Sequence, residues 1–193
     1  MCGLVALCGP VPVSVAETAI AGARRRGPHQ SGWAVLDPDF GQWQLEWSPE
    51  PLAATTLQGP IHVGHSRLAT TSGRPGDAPP LHEAQPYCDA TAGVVIAHNG
   101  TCPKVHARHP GILVDTMALL VEDGGVPALA RLLANEDAPQ AAIVADVDGR
   151  VWTIRTGRVP HPLYRLDGDG WLAISSGPMA AGSRLVPAGV WQR

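Results

Sequence analysis

The order of its apolar runs constrains this chain most: strand-like segments crowd both ends, and helical patterns fall near the start and in the middle. Leu4 to Cys8 reads as a short buried strand beginning directly at the N-terminus. Ser14 is placed to cap a helix through about Arg25, in which Val15, Ala19 and Ala23 share a face and which Gly27-Pro28 ends. Gly32 to Leu36 and Gln42 to Trp47 follow as strands around a turn holding Pro38, Asp39 and Gly41. Ile61 to Leu68 and Gly93 to His98 are two more, joined by a loop of Gly, Pro and Asp from Ser72 to Pro86. Leu113 to Glu122 and Val126 to Asn135 suit helices, broken at Gly124-Gly125. Strands return at Ala141 to Asp146, Val151 to Arg155, Pro162 to Leu166 and Trp171 to Ser175, with Asp148-Gly149 and Asp167-Gly168 as hairpin dipeptides. Without regular β-α-β alternation, the pattern predicts an α+β fold of antiparallel sheets with helices packed outside them. No repeat or linker divides the chain, so residues 1–193 are expected to form a single domain.

Composition removes several function classes. With 45% apolar residues, 16% charged residues and a net charge of -3, the chain is neither disordered nor built to bind nucleic acid through charge. Its densest basic run, Arg24-Arg25-Arg26, is too short to prefer phosphate over solvent. No stretch approaches the roughly 20 apolar residues that span a bilayer, and the apolar start lacks a basic leader. No membrane partner and a cytoplasmic location are therefore expected. Cys2, Cys8, Cys88 and Cys102 form no C-x-x-C pair, and neither His106 nor His109 lies beside a cysteine pair at finger-like spacing. Reduced thiols, no metal and no cofactor are the expectation.

Chemistry begins at Cys2. Once Met1 is trimmed, that residue carries both a thiol and a free α-amine, whose ordinary pKa of about 7.7–8.0 leaves a useful fraction as free base near neutrality. The amine can take the thiol proton directly or through one water, which activates the nucleophile without a histidine. Gly3 allows close backbone approach beside it. His98-Asn99-Gly100 ends an apolar strand, where the Asn99 amide and the Gly100 N–H can converge on an oxyanion; a plain hairpin turn is the alternative. In Gly64-His65-Ser66-Arg67-Leu68-Ala69-Thr70, Arg67 can clamp a carboxylate with Thr70 as an added donor, unless it is a surface ion-pairing arginine. Asp115 can receive a substrate ammonium or serve as a helix cap. His65 and His98 are read as orienting loops, Arg26 as helping to position the N-terminus, and Trp43 and Trp47 as packing residues with a partner surface as the alternative.

Taken in order, Cys2-Gly3, Arg26-Gly27-Pro28-His29-Gln30-Ser31-Gly32, Gly64 to Thr70, Gln85-Pro86-Tyr87, His98-Asn99-Gly100 and Asp115-Thr116 resemble the class II glutamine amidotransferases. Pro162-Leu163-Tyr164 and Ser175-Ser176 look like the closing strands of that family's N-terminal-nucleophile glutaminase domain. The resemblance implies a four-layer αββα sandwich of two antiparallel sheets. It implies that Cys2 forms a γ-glutamyl thioester with glutamine, that its amine shuttles the protons, and that Asn99 and Gly100 hold the oxyanion. It further implies that Arg67 and Thr70 bind the α-carboxylate and Asp115 the α-ammonium. The chain departs from the pattern in having His29 where Asp is common and Met117 where an acid is common, and in a short stretch between Gly100 and Asp115. Released ammonia then requires a separate synthase or ligase partner. The alternatives are a stand-alone amidohydrolase acting on a γ-glutamyl small molecule, and a non-catalytic binding subunit.

Overall fold

The computed structural model describes residues 1–68, 85–89, 93–102, 104, 125–157 and 161–193. The first strand, β1 (Gly3–Cys8), is buried on both faces, as its unbroken apolar run requires. Helix α1 (Val13–Arg24) follows, then β2 (Gln30–Asp37), β3 (Gln42–Ser48) and β4 (Ile61–Arg67). Beyond them come β5 (Tyr87–Asp89), β6 (Val94–Asn99), a helix α2 over 125–134, β7 (Ala141–Asp146) and β8 (Val151–Arg155). The chain closes with β9 (Tyr164–Gly168), β10 (Trp171–Ser175), β11 (Arg184–Leu185) and β12 (Gly189–Gln192).

Two antiparallel sheets result, one ordered β11-β9-β10-β1-β4-β2-β3 and the other β12-β8-β7-β6-β5. Leu4, Ala6, Val63 and Ile174 of the larger sheet pack with Val95, Ala97 and Ile143 of the smaller to form the central core. On the outer face of the larger sheet, Ala19 and Ala23 of α1 meet Val5, Val35 and Ala173. On the outer face of the smaller, Val126, Leu129 and Leu133 of α2 meet Ile96, Ala142 and Val144. The layers are therefore α, β, β and α, the α+β sandwich expected. Burying two sheet faces and two helix stripes is what holds them together.

Several local expectations are corrected. Helix α1 begins at Val13 after Pro12, with no side-chain cap; Ser14 sits inside the first turn, where its carbonyl accepts the Thr18 hydroxyl at 2.8 Å. The Pro12 ring presets φ at -55°, so proline rather than serine starts this helix. The hairpin after β9 turns on Asp169-Gly170, not Asp167-Gly168: Trp171 pairs with Gly168, and Gly170 takes the positive φ of 72°. Strand β9 opens at Tyr164 because Pro162 has no N–H for a ladder. The short strands β5, β11 and β12 were not expected. The predicted helix at Leu113–Glu122 lies outside the described residues, as does most of the loop from Ser72 to Pro86.

Candidate active site

Side-chain alternation fixes where the slot between the sheets opens. Registers align Cys8 with Ile61 in one cross-strand row, then Ala6, Val63 and Ala34, then Leu4, His65 and Gly32. All but His65 and Gly32 belong to the central core. One row further out, Arg67 pairs with Gln30, and Cys2 follows Gly3, which pairs with Ser66. Cys2, Arg67 and Gln30 thus form the outermost row of three neighbouring strands on the face that looks at the smaller sheet. Asn99 occupies the matching end of β6, two residues beyond Ala97.

Glycines and serines deliver these groups. A Cβ on Gly3 would overlap the Ala23 carbonyl, so glycine lets the end of α1 lie directly on β1. A Cβ on Gly27 would overlap the Ser66 carbonyl, while the Ser66 hydroxyl donates to the Gly27 carbonyl. The crossing of Gly27 over β4 carries Arg26 to the Cys2 carbonyl, where its Nε donates at 3.3 Å. At the other edge of β1, Leu4 N–H donates to the Ser176 hydroxyl at 2.8 Å, and the Ser176 N–H returns a bond to the Leu4 carbonyl at 2.9 Å. The Ser175 hydroxyl ties the same corner to Ala19 of α1 at 2.8 Å.

Asn99 binds the Cys2 peptide from the opposite sheet. Its Nδ2 donates to the Cys2 carbonyl at 2.8 Å, and its Oδ1 accepts the Cys2 N–H at 3.2 Å. The same Nδ2 donates to His161 Nδ1 at 3.0 Å. That bond requires an unprotonated Nδ1, and desolvation, followed by the Arg26 and N-terminal charges, lowers the His161 pKa accordingly. The Cys2 thiol lies 3.9 Å from the Leu68 carbonyl, and Arg26 Nη2 reaches Met1 Sδ at 3.3 Å.

Behind Asn99, the fully buried Gln140 braces the turn. Its Oε1 accepts from His98 Nε2 at 2.8 Å and from the Cys102 thiol at 3.3 Å. Its Nε2 donates to the carbonyls of Thr101 at 2.7 Å and Ala138 at 3.0 Å. Gly100, at φ 155°, passes so close that a Cβ there would overlap Gln140 Oε1. His65 hydrogen-bonds the His98 backbone across the slot. Burial lowers His65 to about 3 and His98 to about 4, so both are neutral at pH 7.

Of the residues singled out from sequence, Cys2, Asn99, Gly100 and Arg67 come together at this mouth, whereas Thr70 and Asp115 lie outside the described residues. Arg26 meets the N-terminal segment as expected. Trp43 turns inward, its Nε1 donating to the Gly93 carbonyl at 3.1 Å, while Trp47 remains 38% exposed. Sequence reasoning missed His161 and Gln140. His161 carried a weak signal, since it immediately precedes Pro162-Leu163-Tyr164; Gln140, a lone polar residue at the start of an apolar strand, carried none.

No model of a known protein family matches the sequence, and no curated protein sequence does. Solved structures do match. One is the glutamine phosphoribosylpyrophosphate amidotransferase of B. subtilis complexed with ADP and GMP, at 15% identity and a TM-score of 0.69. Another is described as the allosteric regulatory enzyme of purine biosynthesis, at 17% identity and a TM-score of 0.68. Each likeness covers 99% of this chain and 48% of the other, so this chain spans about half the length of the proteins it matches. At such identity the likeness is one of architecture: the chain has the N-terminal-nucleophile hydrolase fold.

Proposed function

We propose that the chain is a class II glutamine amidotransferase domain, occupying residues 1–193, in which Cys2 is the nucleophile. The observation that carries the reading is the double hydrogen bond between the Asn99 side chain and the Cys2 peptide, at 2.8 and 3.2 Å, at the open end of the slot. It joins a donor amide to the residue that carries the N-terminal thiol, and strand register sets Arg67 in the neighbouring position, in a fold that a solved glutamine amidotransferase shares.

With Met1 attached, the nitrogen of Cys2 is a peptide amide and no base. With Met1 removed, the α-amine takes the thiol proton and the thiolate attacks the side-chain carbonyl carbon of glutamine. Asn99 Nδ2 and the Gly100 N–H stabilise the oxyanion. For that, Asn99 exchanges one of its two present acceptors, the Cys2 carbonyl or His161 Nδ1, for the developing charge. The tetrahedral intermediate collapses as the ammonium of Cys2 returns its proton to the departing ammonia, leaving the γ-glutamyl thioester. Water, deprotonated by the same amine, then releases glutamate and the free thiol. Arg67 with Thr70 receives the α-carboxylate and Asp115 the α-ammonium. Ammonia passes to a separate synthase or ligase in the cytoplasm.

Intact mass and covalent labelling test the reading. Active protein should lack Met1, and a glutamine-like diazoketone should modify Cys2 rather than Cys8, Cys88 or Cys102. Labelling elsewhere, with glutamate release surviving Cys2→Ala, would reject the nucleophile. Glutaminase activity stimulated by a co-purifying protein would identify the acceptor. Turnover of other γ-glutamyl amides without response to any partner would make the chain a plain amidohydrolase instead.

A further inference from the structure

Gln30 carries an unused hydrogen-bonding atom into the candidate site. The residue is 3% exposed, and its Oε1 is buried with no hydrogen-bond partner among the described residues. An acceptor left so is unfavourable in the empty protein, because it has lost water and gained nothing. Its position is not incidental. In register Gln30 faces Arg67, and the alternation that sends Ala34 and Leu36 into the slot sends Gln30 there too. Neighbouring strands lie about 4.8 Å apart, so Cys2, Arg67 and Gln30 mark a line of roughly 10 Å along the slot mouth.

That line has the dimensions and polarity of a free amino acid with a side-chain amide. Resting on the function proposed above, the scissile carbonyl sits at Cys2 and the α-carboxylate at Arg67, one strand away. The α-carbon then lies near Arg67, and its ammonium presents three N–H donors at that end. An ammonium needs several acceptors; one carboxylate supplies part of the set. We infer that Gln30 is a specificity-determining residue whose Oε1 accepts a hydrogen bond from the substrate's α-ammonium. The substrate class is accordingly a free α-amino acid amide, and acylated or peptide-bound glutamine is excluded by loss of that donor charge. His65, whose Nε2 is also buried without a partner among the described residues, lies one row deeper on the Arg67 strand, between Leu4 and Gly32. Gln30 sits in the outermost row.

The test replaces Gln30 by the near-isosteric Met and compares glutamine with 4-carbamoylbutanoate, which is glutamine without its α-ammonium, in protein shown by mass to begin at Cys2. The ratio of kcat/KM for glutamine to that for 4-carbamoylbutanoate should fall about 10- to 100-fold in Gln30→Met, the worth of one hydrogen bond to a charged group. The ligand-free variant should melt at the same temperature or higher, because a buried orphan acceptor has been removed. If both substrates lose equally, Gln30 only braces Arg67 and the inference is overturned. A lower melting temperature with an unchanged ratio would give Gln30 a packing role and also overturn it. Wild-type protein that processes neither amide and resists the diazoketone would reject the parent reading, an outcome distinct from either result with Gln30→Met.

Discussion

Replacing Asn99 by Asp separates its two tasks in the proposed chemistry. Asn99 now offers two N–H donors to the Cys2 carbonyl and His161 Nδ1, at 2.8 and 3.0 Å, and one acceptor to the Cys2 nitrogen at 3.2 Å. Alanine removes the donors, and loss of one oxyanion donor lowers turnover by about 10²–10³-fold. Aspartate removes them too but sets a negative charge beside the nitrogen that must act as base. An opposite charge so close favours the ammonium form and raises an amine's pKa by about 1–3 units. From a starting value near 7.8, a rise of about 1.5 units reduces the free-base fraction at pH 7.5 roughly 20-fold. Asn99→Asp should therefore be roughly 20-fold slower than Asn99→Ala at pH 7.5. Because the raised pKa means the base forms only at higher pH, its kcat should climb further on the alkaline side, closing most of the gap near pH 9.5. The assay is glutamate release across pH 6–10 for both variants. An Asn99→Asp enzyme within tenfold of wild type would show that Asn99 does not hold the oxyanion, and one whose pH profile coincides with that of Asn99→Ala would show that position 99 does not sense the amine.

Gln140→Leu should lower stability by roughly 3 kcal/mol, because the His98 ring and the carbonyls of Thr101 and Ala138 lose partners inside the protein; chemical denaturation measures it. His65 and His98 have folded pKa values of about 3 and about 4, below the ordinary unfolded value of about 6.5. Unfolding therefore takes up protons in that window, and stability present above about pH 6.5 should fall as pH drops toward 4, by up to about 1.4 kcal/mol per pH unit for each histidine. Urea midpoints at pH 7, 6 and 5 that do not change would contradict this. His161→Phe should slow glutamine turnover while leaving KM nearly unchanged, if His161 Nδ1 sets the orientation of Asn99. Gly3→Ala should cost about 2 kcal/mol or more, since its Cβ meets backbone of Ala23 rather than a side chain that can move.

Periodicity made most of the fold legible. The runs Ala141–Asp146, Val151–Arg155 and Trp171–Ser175 coincide with β7, β8 and β10, because each is a mostly apolar strand of a packed sheet, with nearly every residue buried. Failures fall where a local signal was repeated or absent. Asp167-Gly168-Asp169-Gly170 offers two equivalent turn dipeptides, and pairing of Trp171 with Gly168 decides between them. β11 and β12, of two and four residues, owe their existence to the edges of β9 and β8 rather than to any propensity of their own. At the site, Cys2 stood out because trimming of Met1 leaves a thiol and an amine on one residue, and Arg67 and Asn99 because they sit at ends of apolar strands. His161 and Gln140 act through tertiary contacts across 62 and 42 residues from their partners, a distance that spacing cannot encode.

The N-terminal segment allows fold and chemistry to be pulled apart. Arg26 Nε and Asn99 Nδ2 both donate to the Cys2 carbonyl, at 3.3 and 2.8 Å. That carbonyl belongs to the peptide joining Cys2 to Gly3, so neither bond depends on what precedes Cys2. The strand behind it is held by Ser176 on one side and the β4 ladder on the other. Met1, 45% exposed, adds one contact to Arg26 through its sulfur. A protein carrying a permanent extension ahead of Cys2 should therefore denature within about 1 kcal/mol of the processed form, the scale of a change at an exposed position. It should nonetheless form no thioester, because its nitrogen is an amide with no basic lone pair. Equal stability with lost labelling at Cys2 places the role of the terminus in the chemistry alone. Retained turnover in the extended protein would mean that another group takes the thiol proton, and the neutral His161, linked to Cys2 through Asn99, would be the first residue to replace.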